Sequence, residues 1–192
     1  MIRCLIPTQE PAIDAVYNQT ITDSQLTALG IDQIFSFEVA RLTGGASDNT
    51  LDASSFSGKA NLWGADGNDV LIASATTGSK LNGGGGDDTL SGGDGNDHLR
   101  GGNGNDGIAG HDGNDRIYGN SGDDTVLGQN GVDSIYGQAR DDIALGGWGN
   151  DRVNGGVGLD TVAGGPGFDT LIDAIEEIDE AFTFVDDWVD LV

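Results

Sequence analysis

From Gly83 to Ile172 the chain repeats a nine-residue unit without a break, and each unit sets an aspartate two residues before an apolar residue. Gly92-Gly93-Asp94-Gly95-Asn96-Asp97-His98-Leu99-Arg100 displays the pattern in full. Such a unit reads as tight turn, acidic side chain, short strand. Nine residues cannot bury an apolar face alone, so the units must stack. The repeat therefore constrains the fold, and it predicts a hard divalent cation as the ligand.

Composition alone points elsewhere. A net charge of −24 with 34 glycines in 192 residues is the signature of an acidic, disordered chain. The strict period argues against that, because a disordered chain has no reason to keep an apolar residue in phase. Order is expected with the cation bound and disorder without it. The charge also argues against nucleic acid as a partner. Cys4 is the only cysteine, so no intrachain disulfide can form. No stretch is long and apolar enough to span a membrane. Met1 to Pro11 makes a poor Sec signal peptide, so export, if it occurs, needs another signal.

Four segments are expected. Residues 1–43 form a non-repetitive N-terminal cap. Within it, Ala12 to Tyr17 reads as a short strand and Ile31 to Leu42 as another. Thr22-Asp23-Ser24-Gln25 resembles a capping box, with Leu26 and Leu29 apolar and Gly30 as a stop. Residues 44–82 are degenerate coils that keep Leu51, Leu62, Leu71 and Leu81 in phase, with slips at Ala53-Ser54 and Ala73. Only Gly64-Ala65-Asp66-Gly67-Asn68-Asp69 retains a full acidic turn there. Residues 83–172 hold about ten regular units. Their inward residues are expected to be Leu90, Leu99, Ile108, Ile117, Val126, Ile135, Ala144, Val153, Val162 and Leu171, with flanking residues outward. Residues 173–192 are a C-terminal cap. A short amphipathic helix is predicted over Asp173 to Phe182, and Phe182 to Val192 mixes apolar residues with Asp186, Asp187 and Asp190.

Each turn must reverse sharply. Glycine reaches positive φ at low steric cost and lets backbone carbonyls face into the turn. The closing aspartate adds a carboxylate. Carbonyl and carboxylate oxygens at flexible spacing suit calcium better than magnesium, which demands a stricter octahedron. Zinc is not expected, since His98 and His111 hold different repeat positions. A plainer alternative is that the aspartates only cap turns, but that leaves two close rows of like charge without counterions.

These residues resemble the RTX (repeats-in-toxin) family, whose unit is Gly-Gly-x-Gly-x-Asp-x-apolar-x. The resemblance implies an all-β fold, a parallel β-roll or β-solenoid whose successive units alternate between two sheets. It implies calcium between turns two units apart, with several ions, about seven to nine. Carried onto this chain, the metal-binding aspartates are Asp88, Asp106, Asp124, Asp142 and Asp160 along one edge, joined by Asp69. Along the other edge they are Asp97, Asp115, Asp133, Asp151 and Asp169. The turn glycines carried over are Gly83, Gly84, Gly92, Gly93, Gly95, Gly101, Gly102 and Gly104 in the first turns. Gly110, Gly113, Gly119, Gly122, Gly128 and Gly131 follow in the middle. Gly146, Gly147, Gly149, Gly155, Gly156, Gly158, Gly164, Gly165 and Gly167 complete the set. Gly137-Gln138-Ala139-Arg140-Asp141-Asp142 departs most from the motif and is expected to be the weakest site; Gln129, His111 and, more gently, Asn120 also replace glycine.

The resemblance further implies calcium-induced folding and type I secretion of a non-cleaved, extracellular protein. Asp190-Leu191-Val192 is similar to the C-terminal end of such secretion signals. The chain lacks His-Glu-x-x-His and Gly-x-Ser-x-Gly, so no catalysis is expected. The alternative is a non-catalytic polysaccharide- or partner-binding module of a larger secreted enzyme or adhesin. If units alternate, one sheet collects His98, Arg100, Arg116, Tyr118, Tyr136 and Arg152, suited to an anionic polysaccharide. The other collects Thr89, Ala109, Thr125, Leu127, Ile143, Leu145, Thr161 and Ala163, suited to a second subunit.

Overall fold

The computed structural model describes residues 17–20, 39–73 and 77–172, the first of these as backbone. Every strand pair in it is parallel, and no helix occurs among the described residues. Two sheets face each other, and the chain alternates between them. The nine-stranded sheet takes β1 (Tyr17–Thr20), β2 (Val39–Thr43), β4 (Lys59–Asp66), β6 (Lys80–Gly85), β8 (His98–Asn103), β10 (Arg116–Ser121), β12 (Ser134–Ala139), β14 (Arg152–Val157) and β16 (Thr170–Ile172) in that order. The seven-stranded sheet takes β3 (Thr50–Asp52), β5 (Val70–Ile72), β7 (Thr89–Ser91), β9 (Gly107–Asp112), β11 (Thr125–Asn130), β13 (Ile143–Trp148) and β15 (Thr161–Ala163). This is the expected parallel β-roll.

Register follows the repeat. Ile117 pairs with Leu99 on one side and Ile135 on the other; Val126 lies between Ile108 and Ala144. A full coil is 18 residues from Asp88 onward, but 20 and then 19 in the two coils before it. The slips at 53–54 and 73 absorb the difference without disturbing the core. Leu51, Leu62, Leu71 and Leu81 are buried like their regular counterparts.

The core is one apolar side chain deep. Leu99, Ile117, Ile135 and Val153 from one sheet and Leu90, Ile108, Val126, Ala144 and Val162 from the other form one buried cluster. Leu171, at the last described strand, packs on it while remaining partly exposed. In the six-residue strands the second inward position is a glycine, as in β10, where Ile117 and Gly119 both point inward. The space a side chain would take there is occupied by an aspartate from the following turn.

Of the strands expected in the N-terminal cap, only 39–42 and Tyr17 fall within the described residues, in β2 and β1. The capping box at 22–25, the helix over 173–182, the chain end and Cys4 lie outside the described residues.

Candidate metal centre

Twelve turns share one construction. In Gly101-Gly102-Asn103-Gly104-Asn105-Asp106 the first glycine faces the closing aspartate, and a Cβ on Gly101 would overlap Asp106 Oδ2. The same clash would arise at Gly83 with Asp88, Gly92 with Asp97, Gly110 with Asp115, Gly119 with Asp124 and Gly128 with Asp133. It recurs at Gly146, Gly155 and Gly164 with Asp151, Asp160 and Asp169. Sequence reading left Gly44, Gly64 and Gly137 out of the glycine set. They hold the same position, five residues before Asn49, Asp69 and Asp142, and that offset was the signal available.

From the Gly64 turn onward the second and fourth positions of these turns are left-handed whatever residue stands there. Glycine fills most of them, as at Gly102 (φ 135°) and Gly104 (φ 118°). Ala65 (89°), His111 (77°), Asn120 (83°), Gln129 (81°) and Gln138 (91°) hold the second position, and Arg140 (85°) a fourth. Non-glycine residues there carry strain of order 1–3 kcal/mol each. The turn at 137–142, expected to be the weakest, thus keeps the common geometry at the cost of two strained residues.

The closing aspartates stack into two ladders. On one edge the N–H of Asn49 donates to Oδ1 of Asp69, and that of Asp69 to Asp88. Asp88 donates to Asp106, Asp106 to Asp124, Asp124 to Asp142 and Asp142 to Asp160, at 2.8 to 2.9 Å. On the other edge Ser79 donates to Asp97, Asp97 to Asp115, Asp115 to Asp133, Asp133 to Asp151 and Asp151 to Asp169. Asn49 and Ser79 open the ladders in place of aspartates. Neither belonged to the expected site set, because neither is acidic. An outer ladder runs the opposite way, with the N–H of Asn105 donating back to Asp87 and that of Asp123 back to Asn105.

One oxygen of each inner carboxylate is thereby satisfied. The other is not. Oδ2 of Asp69, Asp88, Asp106, Asp124 and Asp142, and of Asp97, Asp115, Asp133 and Asp151, is buried with no hydrogen-bond partner. Burial pushes these carboxyls up: Asp97 to about 8, Asp106, Asp133 and Asp142 to about 7, Asp88 and Asp124 to about 6. Neighbouring carboxylates add to the rise, as Asp115 does for Asp97. Asp69, Asp115 and Asp151 are raised by burial as well.

Buried oxygens without donors, in rows of like charge, fit a cation. The donor set is all oxygen, which suits calcium. Among the described residues no three His, Cys, Asp or Glu side chains converge on one point. Carboxylates arrive one per turn, so backbone carbonyls must complete any coordination shell. His111 Nε2 lies 2.8 Å from Ser91 Oγ, and its charge partly offsets the rise that burial causes at Asp115.

No curated protein and no solved structure matches the chain significantly. The family of the RTX calcium-binding nonapeptide repeat, in four copies of the unit, matches residues 61–76, 80–108, 108–135, 127–162 and 136–171. With more than half of its length so matched, and with the repeat closed into a parallel β-roll, the chain belongs to the RTX calcium-binding repeat family.

Proposed function

We propose that this chain is a calcium-switched folding module of a protein secreted by a type I system, unfolded in the low-calcium cytosol and folded outside the cell. The observation that carries this reading is the set of buried, unpartnered Oδ2 atoms along both edges. Each nine-residue unit buries one apolar side chain, which is little against the entropy of ordering its backbone. Calcium supplies the difference, so folding and binding are one event. About seven to nine ions fit this reading, since successive aspartates of the two ladders leave at most nine gaps. Extracellular modules bind calcium at about 10⁻⁴–10⁻³ M, too weakly for a cytosol poor in the ion. The module itself is non-catalytic.

Circular dichroism tests the switch. The chain in chelator is expected to give a coil spectrum, and millimolar calcium a β spectrum, with magnesium ineffective. Trp148, 68 % exposed and set between the left-handed Gly147 and Gly149, is expected to change its emission on the same titration. Identical β spectra in chelator and in calcium overturn the reading. Removal of residues 173–192 is expected to abolish export through a type I channel; undiminished export removes the secretion half alone.

A further inference from the structure

The two outer faces of the roll are unlike. Arg41, Lys59, Lys80, Arg100, Arg116 and Arg152 all stand at outward positions of the nine-stranded sheet. Arg140, in a turn, is the remaining Lys or Arg among the described residues. Among the described residues Asp66, at the end of β4, is the one carboxylate within the strands of that sheet, and it lies outside the rows that the cations form. In a protein of net charge −24 this is a segregation of charge.

The segregation is also periodic. Register places Arg41, Asn61, Lys80, His98, Arg116, Ser134 and Arg152 in one row along the stack. A permanent cation thus recurs on every second strand: β2, β6, β10 and β14. Strands lie about 4.7–4.9 Å apart, so the cations repeat at about 9–10 Å. Beside them runs a second row, Trp63, Asn82, Arg100, Tyr118, Tyr136 and Asn154. In it the Tyr118 and Tyr136 rings stack with centroids 5.1 Å apart and planes 12° from parallel. Arg100 lies 5.8 Å from the Tyr118 ring, and His98 meets that ring edge-on.

We propose that this face binds a linear polysaccharide bearing one carboxylate per two sugars, laid along the stack axis with carboxylates on the cation row and sugar rings on the tyrosines. Charge complementarity selects a polyanion. Arginine's planar fork suits carboxylate. The two-strand repeat selects a disaccharide period, and the aromatic row selects a ligand with ring faces over a simple acidic chain. The inference rests on the calcium-held fold, since the rows exist only when the coils are stacked.

The test uses the full chain in millimolar calcium, with hyaluronan as probe because it carries one carboxylate per disaccharide. Titration calorimetry is expected to detect binding that weakens with salt. The combined substitution Lys80→Gln, Arg116→Gln and Arg152→Gln is expected to weaken it at least tenfold. Tyr118→Ala with Tyr136→Ala is expected to weaken it severalfold, with the β spectrum unchanged in each case. Poly-glutamate and duplex DNA are expected to bind at least tenfold more weakly than hyaluronan. A folded chain that ignores hyaluronan, or binds it no better than poly-glutamate or DNA, overturns the proposal. So does binding that either set of substitutions leaves intact. A chain that stays unfolded in calcium overturns the calcium reading instead, and this one with it.

Discussion

The main-chain N–H of Asp106 donates to Oδ1 of Asp124 at 2.8 Å, while Asp124 Oδ2 stays buried with no partner. One carboxylate thus has two separable duties: it joins consecutive coils and it offers charge. Asp124→Asn keeps an acceptor at Oδ1 and removes the charge. Asp124→Ala removes both, leaving the Asp106 N–H buried and unsatisfied at a cost of about 1–3 kcal/mol. Both variants are expected to raise the calcium midpoint of the circular dichroism titration. Only the alanine variant is expected to lower thermal stability further in saturating calcium. Equal midpoints for Asp124→Asn and the parent would separate the ladder from metal binding.

The raised carboxyls set the pH dependence of the calcium-free chain. Their pKa values in the folded arrangement, about 6 to 8, lie above the ordinary 3.8. The folded form therefore holds more protons than the unfolded one between those values. Its stability falls as pH rises through that window. Without calcium, acidification from about pH 8 to about pH 5 is expected to increase β content. With calcium, protons compete for the same oxygens, so the midpoint is expected to climb as pH drops below about 7. A metal-free chain that loses β content on acidification contradicts the first statement, and a calcium midpoint that does not move below about pH 7 contradicts the second.

The period made most of the roll legible from sequence. Leu99, Ile117 and Val153 fell in phase with the core and are buried, and the aspartates two residues earlier form the ladders. Two features were not legible. Asn49 and Ser79 hold ladder positions through a main-chain N–H, which every residue but proline has. Side-chain chemistry gives no notice of that role. The tolerance of the 137–142 turn was also hidden. Gln138 and Arg140 break the glycine rule, yet neighbouring coils above and below hold them left-handed. The N–H of Arg140, for example, donates to Val157 O at 2.8 Å. Tertiary register there overrides local preference.

That override has a measurable cost. Arg140 (φ 85°) and Gln138 (φ 91°) sit in backbone that glycine adopts freely. Relief of about 1–3 kcal/mol of strain is opposed by the extra unfolded-state entropy of glycine, about 0.4–1 kcal/mol. Arg140→Gly is therefore expected to stabilise the calcium-bound form by about 1 kcal/mol and lower the calcium midpoint. The reverse change, Gly131→Ala, places a Cβ against the Gly113 carbonyl oxygen and is expected to destabilise by more. Thermal melts at fixed calcium would read both; a destabilising Arg140→Gly would mean that the arginine side chain contributes something its exposed position does not suggest.

A core substitution distinguishes coupled folding from binding to a preformed site. Ile117 is fully buried between Leu99 and Ile135 and, although Asp115 stands two residues before it, its side chain has no group that could hold the ion. Ile117→Ala is expected to cost about 2–5 kcal/mol. In a preformed roll that cost would appear in thermal stability and leave calcium affinity alone. In a roll that assembles only as it binds, the lost burial must be made up by more ligand. Ile117→Ala is therefore expected to need a higher calcium concentration for half-maximal β signal, while reaching the parent's spectrum at saturation. An unchanged midpoint, together with a lower melting temperature, would place the fold before the metal and not with it.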